Sequence, residues 1–295
     1  MPEIFGIPSA ALFGQLLIGL INGSFYALLS LGLAVIFGLL NIINFTHGAQ
    51  YMLGAFCAYF LLNRLGIGYW WSLLAVPLVV GAFGVLIERT MLKPLYKLDH
   101  LYGLLLTFGL ALVIQGLFRN EFGSSGLPYP IARELTGGHN LGFMFLPTYR
   151  AWVIVFSLAV CLSTWFVIEK TKLGSYLRAA TENPELVRAF GINVPRMIML
   201  TYGFGVGLAA LAGVMAAPIY SVNPLMGENL IIVVFAVVVI GGIGSIMGSN
   251  VTGFGLGIIE GLTKVFYPEA SATVIFIVMA IVLVIRPAGL FGTQK

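Results

Sequence analysis

The sequence predicts an all-α protein, a polytopic transmembrane helical bundle of about 8–10 spans with short helices on its cytoplasmic side. Two observations carry this. Of 295 residues 59% are hydrophobic and 9% are charged, whereas a soluble domain carries roughly a quarter charged residues because it faces water on every side. Charge-free runs also recur at the roughly 20 residues needed to cross about 30 Å of hydrocarbon.

The spans follow in order. No Asp, Glu, Lys or Arg occurs between Glu3 and Arg64, a run too long for one helix. It divides into about 10–40 and about 48–63, broken around Asn41, Asn44 and His47, and the first part has a possible second break at Asn22-Gly23-Ser24. Later segments lie at about 69–88, 101–118, 151–168, 198–218, 229–247, 249–267 and 272–286, so nine is the central count. The N-terminus has no basic region and no small-residue cleavage pattern, so the first apolar stretch is expected to remain as a span.

Lys and Arg in the loops set the orientation. Arg89, Lys93 and Lys97, then Lys170, Lys172, Arg178, Arg188 and Arg196, then Arg286 and Lys295 all fall on one side if nine helices cross. That side is the cytoplasm. The opposite loops hold Arg64, Arg119, Arg133 and Arg150 among acids. The chain therefore reads as one transmembrane domain over 1–295, with a cytoplasmic loop at about 170–197 and an extracytoplasmic one at about 119–150. The N-terminus lies outside, unless the first segment splits.

The net charge of +4 does not point to nucleic acid, because the basic residues are scattered in short loops with no aromatic-interleaved patch. Cys57 and Cys161 sit in apolar segments and read as core residues. His47, His100 and His139 are apart in sequence, so no metal site is expected. There is no Gly-x-Ser-x-Gly elbow and no Gly-Lys pair for a phosphate loop. No catalytic residue and no cofactor in this chain are therefore predicted. Glycines four apart, Gly203 with Gly207 and Gly253 with Gly257 and Gly261, predict close helix contacts.

Four places stand out. In 170–197, Gly174 to Glu182 suits a short helix with Leu177 and Ala180 on one side and Arg178 paired with Glu182 at i,i+4. Asn183-Pro184-Glu185 then reads as N-cap, first position and first-turn acid of a second helix ending at Gly191. Two such helices suit docking to a soluble protein; the alternative is a solvated loop. Asn44, His47 and Gln50 are polar groups at membrane depth, the first two expected on one helix face. They suit a cavity lining and helix–helix hydrogen bonding equally. Gly241-Gly242-Ile243-Gly244-Ser245 predicts a chain break at or within the membrane. Glu260 and Lys264, at i,i+4, suit an intramembrane ion pair, with a proton or substrate path as the other reading.

These residues resemble a known family. Ile43-Asn44-Phe45-Thr46-His47-Gly48 with Tyr51-Met52-Leu53-Gly54, the stretch Gly174 to Ile192, the Gly241 to Ser245 break and the tail Arg286-Pro287-Ala288-Gly289-Leu290-Phe291-Gly292 are similar to permease subunits of branched-chain amino acid ABC importers of the LivH type. The likeness keeps motif order along nearly the whole chain. It implies a bacterial inner-membrane importer in which this permease pairs with a LivM-type one. Two cytoplasmic ATPases hold ATP and Mg, and an extracytoplasmic solute-binding protein delivers substrate. It assigns Gly174, Arg178, Ala179, Glu182, Asn183, Pro184 and Gly191 to ATPase coupling. Asn44, His47, Gln50, Gly241, Gly242, Gly244 and Ser245 are the expected substrate pathway. One departure matters: many relatives carry an acid directly after the His-Gly, where this chain has Ala49 and then Gln50. Urea, short amides and aromatic acids, carried by related systems, are the alternative substrates, and an ion-coupled carrier acting alone is the rival mechanism.

Overall fold

Each of the nine apolar segments folds as an α-helix in the computed structural model, which describes residues 3–4, 7–40 and 43–292. They are α1 (Ser9–Leu40), α2 (Thr46–Leu65), α3 (Tyr69–Ile87), α4 (His100–Phe122) and α5 (Thr148–Lys170), then, after the short α6 (Lys172–Glu182) and α7 (Pro184–Ala189), α8 (Val194–Tyr220), α9 (Glu228–Gly241), α10 (Ile246–Phe266) and α11 (Val274–Ile285). Among the described residues five stretches are long and apolar enough to cross a membrane: Ser9–Gly38, Tyr69–Tyr96, His100–Phe122, Thr148–Lys170 and Val194–Tyr220. Helices α9 and α11 are apolar but shorter, at 14 and 12 residues. Helices α2 and α10 have the length, 20 and 21 residues, but interrupt their apolar character with polar side chains. No break forms at Asn22-Gly23-Ser24, where α1 is continuous and Ser24 Oγ donates to the Leu20 carbonyl at 2.9 Å. The expected break at Asn41 lies outside the described residues.

The chain divides into two compact units. In the unit formed by residues 31–130 and 162–232, α8 packs along α2 and α3. Small residues bring the backbones together: a Cβ on Gly54 would meet the Ala210 carbonyl oxygen at 2.2 Å, and one on Gly203 would meet that of Gly81 at 3.0 Å. In lipid, where apolar side chains gain nothing by leaving solvent, such close packing is what holds helices together. The outer sides of α3 and α4 are apolar, with Leu78 74% and Leu105 63% exposed, a pattern that suits hydrocarbon. Beyond α3 the chain makes a π-helical turn, Glu88–Leu92, and a 3₁₀ turn, Lys93–Lys97.

The other unit comprises residues 1–30, 131–161 and 233–295. Its α10 lies against the start of α1, and the predicted glycine triplet marks the seam: Cβ atoms on Gly253, Gly257 and Gly261 would collide with Ala27, Gly23 and Gln15 backbone atoms at 2.5, 2.4 and 2.4 Å. Buried Asn250 ties α10 to α5 by donating to the Cys161 carbonyl at 3.2 Å. A hairpin pairs Gly138–Asn140 with Phe145–Pro147 inside the predicted 119–150 loop.

Candidate functional site

The N-terminus of α2 carries a cluster of buried polar side chains, Asn44, Thr46, His47 and Gln50. Phe45 offers no side-chain cap to this helix, and the chain entering it is held instead by Thr107 of α4. That hydroxyl donates to the Ile43 carbonyl (3.0 Å) and accepts from the Phe45 amide (3.2 Å), while Thr46 Oγ1 donates to the Thr107 carbonyl (2.7 Å). Sequence reasoning missed Thr107, since only tertiary packing distinguishes it from other intramembrane threonines. Asn44 precedes the helix and does not share a helical face with His47, as had been expected; the two are linked through the backbone, His47 N to Asn44 O at 3.3 Å. The Asn44 side chain turns to Gln50 and donates to Oε1 at 3.0 Å. Asn44, His47 and Gln50 are all fully buried, and so is Ala49.

This cluster is incompletely satisfied from within. Among the described residues Asn44 Oδ1 and the Tyr51 hydroxyl are buried with no hydrogen-bond partner. Tyr202, on α8, lies beside Gln50 and within electrostatic reach of Glu88. Glu88 is 2% exposed and accepts from the Tyr96 hydroxyl at 2.7 Å. It too went unread in the sequence. It closes the predicted 69–88 span just before Arg89, and the π-helical turn that keeps it inside leaves no residue signature.

The helices of the 170–197 loop form as the sequence predicts. Gly174 is required by a close approach, since a Cβ there would lie 1.7 Å from the Ile168 carbonyl oxygen. Leu177 and Ala180 are buried. Asn183 caps α7, its Oδ1 accepting from the Leu186 amide at 3.0 Å, Pro184 takes the first position, and Gly191 closes it at φ +80°. The Arg178–Glu182 pair does not form. The bend at Thr171 and the close approach of Gly174 fold α6 back on the end of α5, so Arg178 reaches Glu169 at 3.5 Å and leaves Glu182 exposed. Ala179 is exposed, as are Leu186 and Phe190 at 55% and 76%. Behind α6 and α7 lies a cavity of about 360 Å³ lined by Tyr96, His100, Leu177, Thr181 and Arg188 among others.

The Gly241–Ser245 segment belongs to the other compact unit. Gly242 and Gly244 take positive φ (100° and 84°) between α9 and α10, and Ser245 caps α10 by accepting from the Gly248 amide at 3.0 Å. The C-terminal tail covers this break, with Leu290 and Phe291 amides donating to the Ile240 and Gly241 carbonyls at 2.8 and 3.1 Å. Two motifs far apart in sequence are thus one structural joint. In the same unit Lys264 donates to Glu260 Oε1 and the Tyr26 hydroxyl to Oε2 at 2.7 Å, which is the predicted ion pair with a partner added from α1.

The family described as branched-chain amino acid transport system / permease component matches residues 15–284. This chain belongs to that family. The permease is 32% identical to the high-affinity branched-chain amino acid transport system permease protein LivH of Escherichia coli K12, over 95% of this chain and 96% of that one. It is 30% identical to BraD of Pseudomonas aeruginosa, named for the same transport system, over 100% and 99%. To the permease protein LivM of Escherichia coli K12 it is 26% identical over 92% of this chain and 68% of that protein. No solved structure matches it. In this permease the motifs that carry the resemblance occupy three places: the polar cluster at α2, the α6–α7 pair, and the joint of break and tail.

Proposed function

We propose that this permease supplies the membrane pathway for branched-chain amino acids in an ABC importer of the bacterial inner membrane, paired with a LivM-type permease. What supports this most is the similarity to LivH along 95% of the chain; the weaker likeness to LivM supports a pair of related permeases. ATP and Mg belong to separate ATPase subunits in the cytoplasm, and a solute-binding protein outside the membrane delivers substrate. The α6–α7 pair, on the cytoplasmic side with the C-terminus, is the ATPase docking element. Its exposed Leu186 and Phe190 suit burial in a partner's groove, while Ala180 and Val187 pack with Val194 at the start of α8. A push on α7 is therefore passed to α8, which carries Tyr202 beside the polar cluster. Substrate contacts must differ between the outward- and inward-open states for any such coupling, and the unpartnered Asn44 Oδ1 with the buried Gln50 and Tyr202 side chains nearby suits a polar solute passing there.

The test is uptake of labelled leucine by the complete transporter in proteoliposomes. ATP-dependent uptake that needs all the subunits is expected. Uptake by this chain alone on an ion gradient would overturn the reading, and uptake of urea or an aromatic acid in place of leucine would overturn the substrate class.

A further inference from the structure

Among the described residues two carboxylates are buried, and their charge is met differently. Glu260 is bonded to Lys264 and Tyr26. Glu88 is buried more deeply, and its bonded partner is a neutral phenol, Tyr96. Among the described residues no Lys, Arg or His lies within ion-pair distance of Glu88; Lys93 is near enough to be felt but is exposed. A buried carboxylate without a bonded cation is costly, and intramembrane acids persist where they serve a function. The turn that holds it is a π-helix, a rare form that occurs mostly as single turns and is frequent at functional sites.

Its surroundings have the complementary chemistry. Helix α8 is pressed onto this end of α3, Cβ atoms on Gly203 and Gly84 meeting Val85 and Val206 side chains at 2.5 and 2.8 Å. That brings Tyr202 toward Glu88, with the Gln50 side chain at hydrogen-bonding reach of its hydroxyl. Both can donate to a carboxylate. On the other side, Tyr96 lines the cavity behind α6 and α7.

We propose that Glu88 binds the ammonium group of the zwitterionic substrate at the end of the route nearest α6 and α7, with the Tyr202 hydroxyl and Gln50 amide placed to donate to its carboxylate. Tyr96 occupies Glu88 until the ammonium displaces it, and its position on the cavity wall gives the released solute a way out. The site deepens the amino acid import reading above and rests on it for the identity of the solute.

The native transporter complex in nanodiscs is treated with dicyclohexylcarbodiimide, and modification of Glu88 is followed by peptide mass spectrometry. Isoamylamine and leucine should slow it, and 4-methylpentanoate, which lacks the ammonium, should not. Equal modification with all three overturns the site without any variant having to fold. In the complete transporter Glu88→Gln should cut leucine uptake about tenfold or more, the loss of one charge-assisted contact, with Glu88→Asp intermediate. Import by Glu88→Gln at the unaltered chain's rate also overturns the proposal. The two readings fail separately. Protection of Glu88 by isoamylamine in a complex that imports no leucine sinks the amino acid assignment and keeps the ammonium site. Leucine import with an unprotected Glu88 does the reverse.

Discussion

Removing one side of the Asn44–Gln50 bond should cost more than the bond itself contributes. Both side chains are fully buried, so Asn44→Ala leaves Gln50 Oε1 without its donor where water does not reach. A stranded buried polar atom costs roughly 1–3 kcal/mol, and thermal unfolding of the purified permease should show it as a lowered Tm. The glycines give a cleaner contrast. A methyl group at Gly54 would lie 2.2 Å from the Ala210 carbonyl oxygen, a backbone atom that cannot step aside, whereas Gly103 and Gly116 on α4 face open space. Gly54→Ala should therefore destabilise the chain by about 1–3 kcal/mol or more through overpacking. Gly116→Ala should be neutral or stabilise it by up to about 1 kcal/mol through helix propensity. Equal Tm shifts for the two variants would contradict the assigned α2–α8 contact.

At the scale of elements, α6 and α7 were legible from the sequence because their signals are local: an amphipathic spacing, an Asn-Pro start, a glycine end. Span positions were legible for the same reason, as charge-free runs. What the sequence hid needs long-range contact: Thr107 clamping the entry to α2, the tail closing the Gly241–Ser245 break, Glu169 replacing Glu182 as the partner of Arg178, and Glu88 held inside by a π-turn. The exposed face of α7 carries the next prediction. Phe190→Ser removes an apolar side chain that is 76% exposed, so the stability of the chain should change by less than about 0.5 kcal/mol. Substrate-stimulated ATP hydrolysis by the complete transporter should fall several-fold, and full stimulation in this variant would remove α7 from the docking surface. The ion pair on α10 is tested differently. Lys264→Met leaves Glu260 with Tyr26 alone, and because Lys264 is 34% exposed the loss should be about 1–3 kcal/mol, below the roughly 3–5 kcal/mol of a fully buried pair. The double variant with Glu260→Gln should recover most of it. Recovered stability with uptake still lost would give the pair a transport role beyond the structural one.

At the scale of the whole molecule the question is sidedness, which charge placement predicts and helix geometry lets one test within a single compact unit. The stretch Tyr69–Tyr96 is long and apolar enough to cross a membrane. One end follows Arg64 and Leu65; the other carries Arg89 and Lys93, and the α6–α7 loop adds further basic residues. The excess of Lys and Arg predicts that the latter ends lie in the cytoplasm. Leu65 and Phe190 are 67% and 76% exposed, so each is open to a reagent in solution. In a Cys57→Ser, Cys161→Ser background, Leu65→Cys should react with a membrane-impermeant maleimide in spheroplasts, and Phe190→Cys should react only once the membrane is opened. Glu121→Cys, at the far end of α4 from His100, should behave as Leu65→Cys does. Reaction of Phe190→Cys in sealed spheroplasts would turn the molecule over and place α6 and α7 where no cytoplasmic ATPase can reach them. The coupling proposal and the orientation therefore stand or fall on the same measurement.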